Sequence, residues 1–215
     1  MIHIKNLHMF VDKKPLISHY SASFSTGQVV GILGPNGIGK TSFLRVLARL
    51  NPSYTGTIYW GSQDIKTYSA KQLASLRTYI PATPICHWPL SAQQILQIEN
   101  PLFSTQHPLL DRLGITPLLS QNFLTLSAGE KARVLLVYAL IKNNQIIILD
   151  EITSHMDTTY QDLTLQILNE YAKVGGLIFL SLHQENLAIK YCNQVLLLKH
   201  QTFFSKETVM LFEEK

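Results

Sequence analysis

The chain of 215 residues has little charge: Asp, Glu, Lys and Arg together make up 15%, against roughly 25% in an ordinary soluble domain. Low charge, 46% hydrophobic residues and a mean hydropathy of +0.11 exclude disorder, which needs the opposite balance. They also imply that part of the surface is covered by a partner. Cysteine is nearly absent: Cys86 and Cys192 lie far apart and in no CxxC pattern. That excludes a disulfide scaffold and suits a reducing compartment. The histidines show no metal-ligand spacing. No apolar run approaches the roughly 20 residues of a membrane-spanning helix; residues 134–141 and 195–198 are the greasiest stretches. The first ten residues do not read as a secretory leader. The expectation is one domain of residues 1–215, cytoplasmic, with any membrane role peripheral on the inner face. Lys and Arg outnumber Asp and Glu 18 to 14. That mild excess suits a nucleotide, a nucleic acid or an anionic membrane face and decides nothing alone.

What is present is a patterned α/β chain without repeats or Gly/Ser linkers. Residues 1–10 and 21–24 alternate as strands, and Thr26-Gly27-Gln28 turns into a buried strand over 29–33. Residues 34–39 are rich in glycine. The stretch 40–50 then carries Phe43, Leu44, Val46, Leu47 and Leu50 on a helical period. A turn is expected over 51–56, a strand over 57–60, a helix capped by Ser69 and running to Arg77, and a short strand at Tyr79 and Ile80. From residue 83 to about 143, strand signals vanish and prolines 89, 101, 108 and 117 interrupt helical stretches. This reads as a helical lobe, residues 83–143, inserted into an α/β core of residues 1–82 and 144–215. Residues 145–149 form a continuous apolar strand of the kind buried inside a parallel sheet. A helix over 163–172, a buried strand over 176–182 and a terminal hairpin of 195–199 with 202–204 complete the reading.

Gly34-Pro35-Asn36-Gly37-Ile38-Gly39-Lys40-Thr41 fits GxxxxGK[ST] between a buried strand and a helix. In that setting backbone N–H groups curl around phosphate oxygens and the helix N-terminus favours negative charge. Lys40 neutralises the β- and γ-phosphates, and Thr41 offers Mg²⁺ a hydroxyl. The plain alternative is a glycine-rich turn beside a chance lysine. Downstream, an apolar strand ends in Asp150 and Glu151. Asp150 would hold Mg²⁺ through water and Glu151 would polarise the water that attacks the γ-phosphate; apolar strands also end in ordinary acidic turns.

Between these motifs stands Leu126-Ser127-Ala128-Gly129-Glu130, and after them come Ser154-His155-Met156-Asp157 and His183. Taken in order and spacing, the set resembles the ATP-binding-cassette (ABC) ATPases over nearly the whole chain. Residues 126–130 are close to the family signature LSGGQ, Ser154 to Asp157 match the D-loop, and His183 matches the switch histidine. The resemblance implies an α/β, P-loop (RecA-like) core with a small N-terminal antiparallel β part and an inserted helical lobe. It implies ATP and Mg²⁺ as ligands, with residues 34–41 and Ser42 at the phosphates. It also implies a dimer with a second copy of the chain, in which each signature meets the other's ATP. Ser127 and Glu130 separately fit a helix capping box, and one geometry serves both roles. Phe10 is the candidate for stacking on adenine, although an N-terminal Phe is ordinarily core packing.

Three positions depart from the family pattern. Ala82 stands where a glutamine usually reaches Mg²⁺, Ile152 replaces a proline, and Ala128 replaces a signature glycine. The implied function is the ATPase subunit of an ABC transporter, docked through residues 83–102 (Ile85, Trp88, Leu90) on integral membrane permease subunits, with a substrate-binding protein as a further partner. A metal or metal chelate is the first cargo class and import the first direction. Haem export for cytochrome c maturation, a soluble cassette and a small-molecule kinase are the rivals. The kinase leaves the signature and His183 unexplained. No basic run interleaved with aromatics marks a nucleic-acid groove.

Overall fold

The computed structural model describes residues 1–11, 14–98 and 100–198. Strand β1 (Ile2–Val11) buries Ile2 and Ile4, then Leu7 and Met9. Its alternation slips by one residue because Asn6 adopts φ +47° and bulges. The strand pairs antiparallel with β2 (Lys14–Phe24), and residues 28–33 then form β3 (Gln28–Leu33). After the glycine loop, α1 runs over Lys40–Leu47, stopping short of the expected Leu50. Strand β4 (Tyr54–Trp60) pairs with the far side of β1, followed by β5 (Gln63–Asp64), so one sheet has the order β2-β1-β4-β5. The expected turn over 51–56 thus ends early: Tyr54 already begins the strand, and Gly56 at φ +88° answers the β1 bulge.

Helix α2 (Ala70–Leu76) carries the expected Ser69 cap as a full capping box with Gln72, and Arg77 already belongs to β6 (Arg77–Ile80). The next elements are α3 (Ala92–Gln97), α4 (Pro108–Arg112) and α5 (Ala128–Ile141). Between them run 3₁₀ turns and one isolated bridge, Ser91 to Asn122. Pro108 occupies the first turn of α4, where a missing N–H costs nothing, so it opens a helix rather than breaking one. Strand β7 (Ile146–Leu149), helix α6 (Thr158–Lys173) and strand β8 (Leu177–Ser181) follow. A further helix, α7 (Glu185–Tyr191), was not expected from the sequence, and β9 (Gln194–Leu197) is the last element among the described residues.

The second sheet has the order β6-β7-β8-β3-β9, and every pair in it is parallel. Its apolar strands are unbroken because both faces are covered. Val29, Ile147, Ile178 and Leu180 face α5, α6 and α7, whereas Val30, Ile32, Ile148 and Phe179 face α1 and the antiparallel sheet. Of the expected terminal hairpin, residues 194–197 form a strand that pairs in parallel with β3. Its other proposed limb, 202–204, lies outside the described residues. A Cβ on Gly56 would strike the carbonyl oxygen of Asn6 and come within 2.7 Å of that of Lys5. Gly56→Ala should therefore destabilise the fold by about 2–4 kcal/mol in chemical denaturation; a wild-type midpoint would contradict the locked double bulge.

Candidate functional site

Because β3, β7 and β8 are parallel neighbours, their C-terminal ends open on one edge of the sheet. The loop after β3 turns through left-handed glycines (Gly34 φ +147°, Gly37 +77°, Gly39 +106°). Helix α1 starts at Lys40 with neither a side-chain cap nor an acidic residue in its first turn. Its leading N–H groups, from Lys40, Thr41 and Ser42, are left for an anion. Pro35 and Asn36 are exposed and Ile38 half-buried. Lys40 is only 4% exposed, and its ammonium folds back on the loop, donating to the carbonyls of Gly34 at 2.8 Å and Pro35 at 3.2 Å. Burial lowers its pKa below the ordinary lysine value, opposed by the charges of Glu151 and Asp150. Phe10 is 41% exposed. It pairs across the sheet with Pro15, whose neighbour Leu16 lies against Gly39.

Asp150, at 1% exposure, is held on several sides. Its N–H donates to Ile80 at 2.9 Å, and its Oδ1 accepts a 2.7 Å bond from the Ser181 hydroxyl. The same Ser181 oxygen accepts the Glu151 N–H at 2.7 Å. That bond secures a backbone turned to φ +52° at Glu151, a left-handed conformation costing roughly 1–2 kcal/mol outside glycine. The turn swings the Glu151 carboxylate away from Asp150, and its Oε1 meets His183 Nε2 at 3.1 Å. Ser181 was missed in the sequence. Its signal was a hydroxyl closing the otherwise apolar strand Leu-Ile-Phe-Leu-Ser. Asp150 Oδ2 is buried without a hydrogen-bond partner among the described residues. With the Thr41 hydroxyl it supplies hard oxygens of the kind Mg²⁺ takes alongside phosphates.

The start of α5 forms the expected capping box: Glu130 N donates to the Ser127 hydroxyl while Glu130 Oε2 accepts the Ser127 N–H at 2.8 Å. The backbone N–H of Ser127, then its hydroxyl, holds the Glu130 carboxyl below the usual carboxylate range. Leu126 anchors the turn in the core, and Ser127 and Ala128 are exposed. A Cβ on Gly129 would lie 2.7 Å from the carbonyl oxygen of His155, so a small residue lets the helix touch the 154–157 segment. There Ser154 is exposed, and exposed Asp157 caps α6 through the Tyr160 N–H at 2.9 Å. A cavity of about 340 Å³ joins Ser127, Gly129 and Glu130 to His155 and Asp157. Another of about 240 Å³ joins Ala82 and Thr83 to Asp150, Glu151, Ala128 and Lys131. Neither is lined by residues 34–42. One chain thus brings loop, Asp150, Glu151 and His183 to one edge, while the cavity at the Ser127 tip includes none of residues 34–42 in its lining.

Residues 17–154 match the family model described as ABC transporter. The chain belongs to the ABC transporter family. It is an ATPase of that family, whose members couple hydrolysis to transport. A hemin import ATP-binding protein of Photobacterium profundum is 30% identical over 212 residues, covering 93% of this chain and 76% of its own. The fold matches an ATP-binding subunit of an ABC transporter with TM-score 0.86 at 21% identity, covering 100% of this chain and 93% of the other. It also matches cbiO1 of Clostridium perfringens, part of the transporter complex cbiONQ, with TM-score 0.81 at 22% identity, covering 99% and 91%. Ser181→Ala leaves Asp150 Oδ1 and the Glu151 N–H without their shared partner. It should cost about 1–3 kcal/mol in denaturation and lower ATP turnover more than ATP binding; unchanged turnover would remove Ser181 from the site.

Proposed function

We propose that this ABC ATPase powers import of haem or a related metal chelate, working as a Mg²⁺-dependent homodimer on the cytoplasmic face of a membrane permease. The observation that carries the hydrolytic part is the run Asp150–Ser181–Glu151–His183 on the strand ends beside the phosphate loop. Its spacing separates one buried carboxylate, suited to a metal, from a second that is half-exposed and paired with an imidazole. Support for the cargo comes from the relatives, which are named for hemin import. No helix among the described residues is long and apolar enough to cross a membrane, so the passage itself belongs to other subunits.

In this reading the N–H groups of the 34–42 segment bind the triphosphate and Phe10 stacks on the adenine. Lys40 leaves the carbonyls of Gly34 and Pro35 for the β- and γ-phosphate oxygens. Thr41 and Asp150 would hold Mg²⁺, the latter through water, and the ion would neutralise charge on the phosphates. Glu151 takes a proton from the attacking water, and His183 fixes the carboxylate and reaches toward the γ-phosphate. Ser127 with Ala128 and Gly129 lends its helix tip to the ATP of the second copy, with Ser154 and Asp157 on the adjoining surface. The helical segment 83–143 acts as a lobe that transmits closure to the permease. Its exposed apolar residues, Ile85 at 77%, Trp88 at 71%, Ile98 at 58% and Leu102 at 93%, form the docking surface. Leu90, also expected there, is half-buried against the core.

Two measurements test the proposal. Glu151→Gln with Mg-ATP should run as a dimer in gel filtration, because closure survives and hydrolysis stops; a persistent monomer contradicts the sandwich. In vesicles carrying the chain with its permease, a haem-loaded binding protein should stimulate ATP turnover. Failure of haem and of every tested metal chelate to do so contradicts the cargo.

A further inference from the structure

Strand β6 ends beside Asp150 with side chains that the mechanism above does not use. Along it, Thr78 and Ile80 face the α5 side, Thr78 accepting a 3.0 Å bond from Asn144 Nδ2. Tyr79 points to the opposite face and packs against the cluster that contains Phe43 and Leu44 of α1. The parallel register pairs Tyr79 with Ile148 and Ile80 with Leu149. Asp150, two residues beyond Ile148, therefore lies on the same face as Tyr79 and diagonally ahead of it, within reach of a long side chain. Among the described residues, the Tyr79 hydroxyl and Asp150 Oδ2 are both buried and both without a hydrogen-bond partner. Two orphaned polar atoms at one strand end are costly, and each is the natural complement of the other. Pro81 and Ala82, which continue the chain past Asp150, bring no side-chain donor.

We propose that Tyr79 is a positioning residue for metal binding: its hydroxyl donates to Asp150 and, opposite Ser181, fixes the carboxylate for Mg²⁺. Ser181 secures Oδ1 from β8, and Tyr79 secures the Oδ2 side from β6, so the carboxylate is braced from both neighbouring strands. The hydroxyl stands close to Asp150 and Arg45, short of hydrogen-bond geometry with either. A small rotation on metal binding completes the contact. Burial, then the charge of Asp150 against the opposing influence of Arg45, leaves the phenol above its ordinary pKa. A phenol hydroxyl carries the proton that a donor needs. The inference rests on the reading of Asp150 as the Mg²⁺ anchor.

The test is an equilibrium titration of the full chain with a fluorescent ATP analogue, first in EDTA and then against added Mg²⁺. Tyr79→Phe keeps the ring and its packing, and its affinity in EDTA should equal that of the wild type. Half-saturation by Mg²⁺ should need about ten times more metal, the loss expected for one hydrogen bond to a charged group. Adding Ala82→Gln to the Tyr79→Phe chain places a new polar group beside Asp150 and should recover part of the loss. A wild-type Mg²⁺ titration for Tyr79→Phe overturns the inference. So does an equal weakening with and without metal, which would mark a purely structural tyrosine. If Mg²⁺ fails to tighten nucleotide binding in the wild type, the assignment of Asp150 itself falls.

Discussion

Parallel pairing forces β3, β7 and β8 to finish on the same edge of the sheet, and the rest of the site depends on that constraint. Each strand delivers a different chemical element there. The first gives a loop of N–H groups with a buried lysine, the second two successive carboxylates, and the third a hydroxyl and an imidazole. The strands are held by apolar burial on both faces, which is insensitive to what happens at their tips. The rigid part of the fold and the polar part of the site are therefore separate in space. Strain at Glu151 can be tolerated because the core does not need to relax around it.

Within the site, Ser181 gives two adjacent carboxylates different fates. By bonding the Asp150 carboxylate and the Glu151 N–H with one oxygen, it keeps the first inside and turns the second outward to His183. A buried acid with one oxygen bonded to a hydroxyl and the other free among the described residues suits a metal. A half-exposed acid beside an imidazole suits proton transfer. The lysine is poised in a complementary way, buried and bonded to carbonyl oxygens that a phosphate can readily replace.

Much of this was legible in the sequence because it rests on local rules. The glycine loop between strand and helix, the apolar strand before Asp150 and the Ser127–Glu130 box are patterns of spacing and capping, and the structure contains each of them. What was not legible depends on long-range register. The bulges at Asn6 and Gly56 match across two strands far apart in sequence, so residues 54–56 read as a turn. The parallel pairing of 194–197 with β3 was equally hidden, because nothing local in the sequence gives the direction of a partner strand. Ser181 is distant in sequence from Asp150 and becomes its partner only when β7 and β8 align. Helix α7 was overlooked because it is short and lacks a capping side chain.

The cavity at the Ser127 tip includes none of residues 34–42 in its lining, and loop and tip meet in this account only across two copies. Mixing two inactive variants tests this most directly, under conditions where the wild-type chain hydrolyses ATP. Lys40→Ala disables a chain's own loop, and Ser127→Arg blocks the tip it offers to its neighbour. In a mixed dimer one site carries both defects and the other carries neither. The account predicts that hydrolysis reappears when the two silent proteins are combined. A mixture as silent as its parents would contradict a site shared between copies.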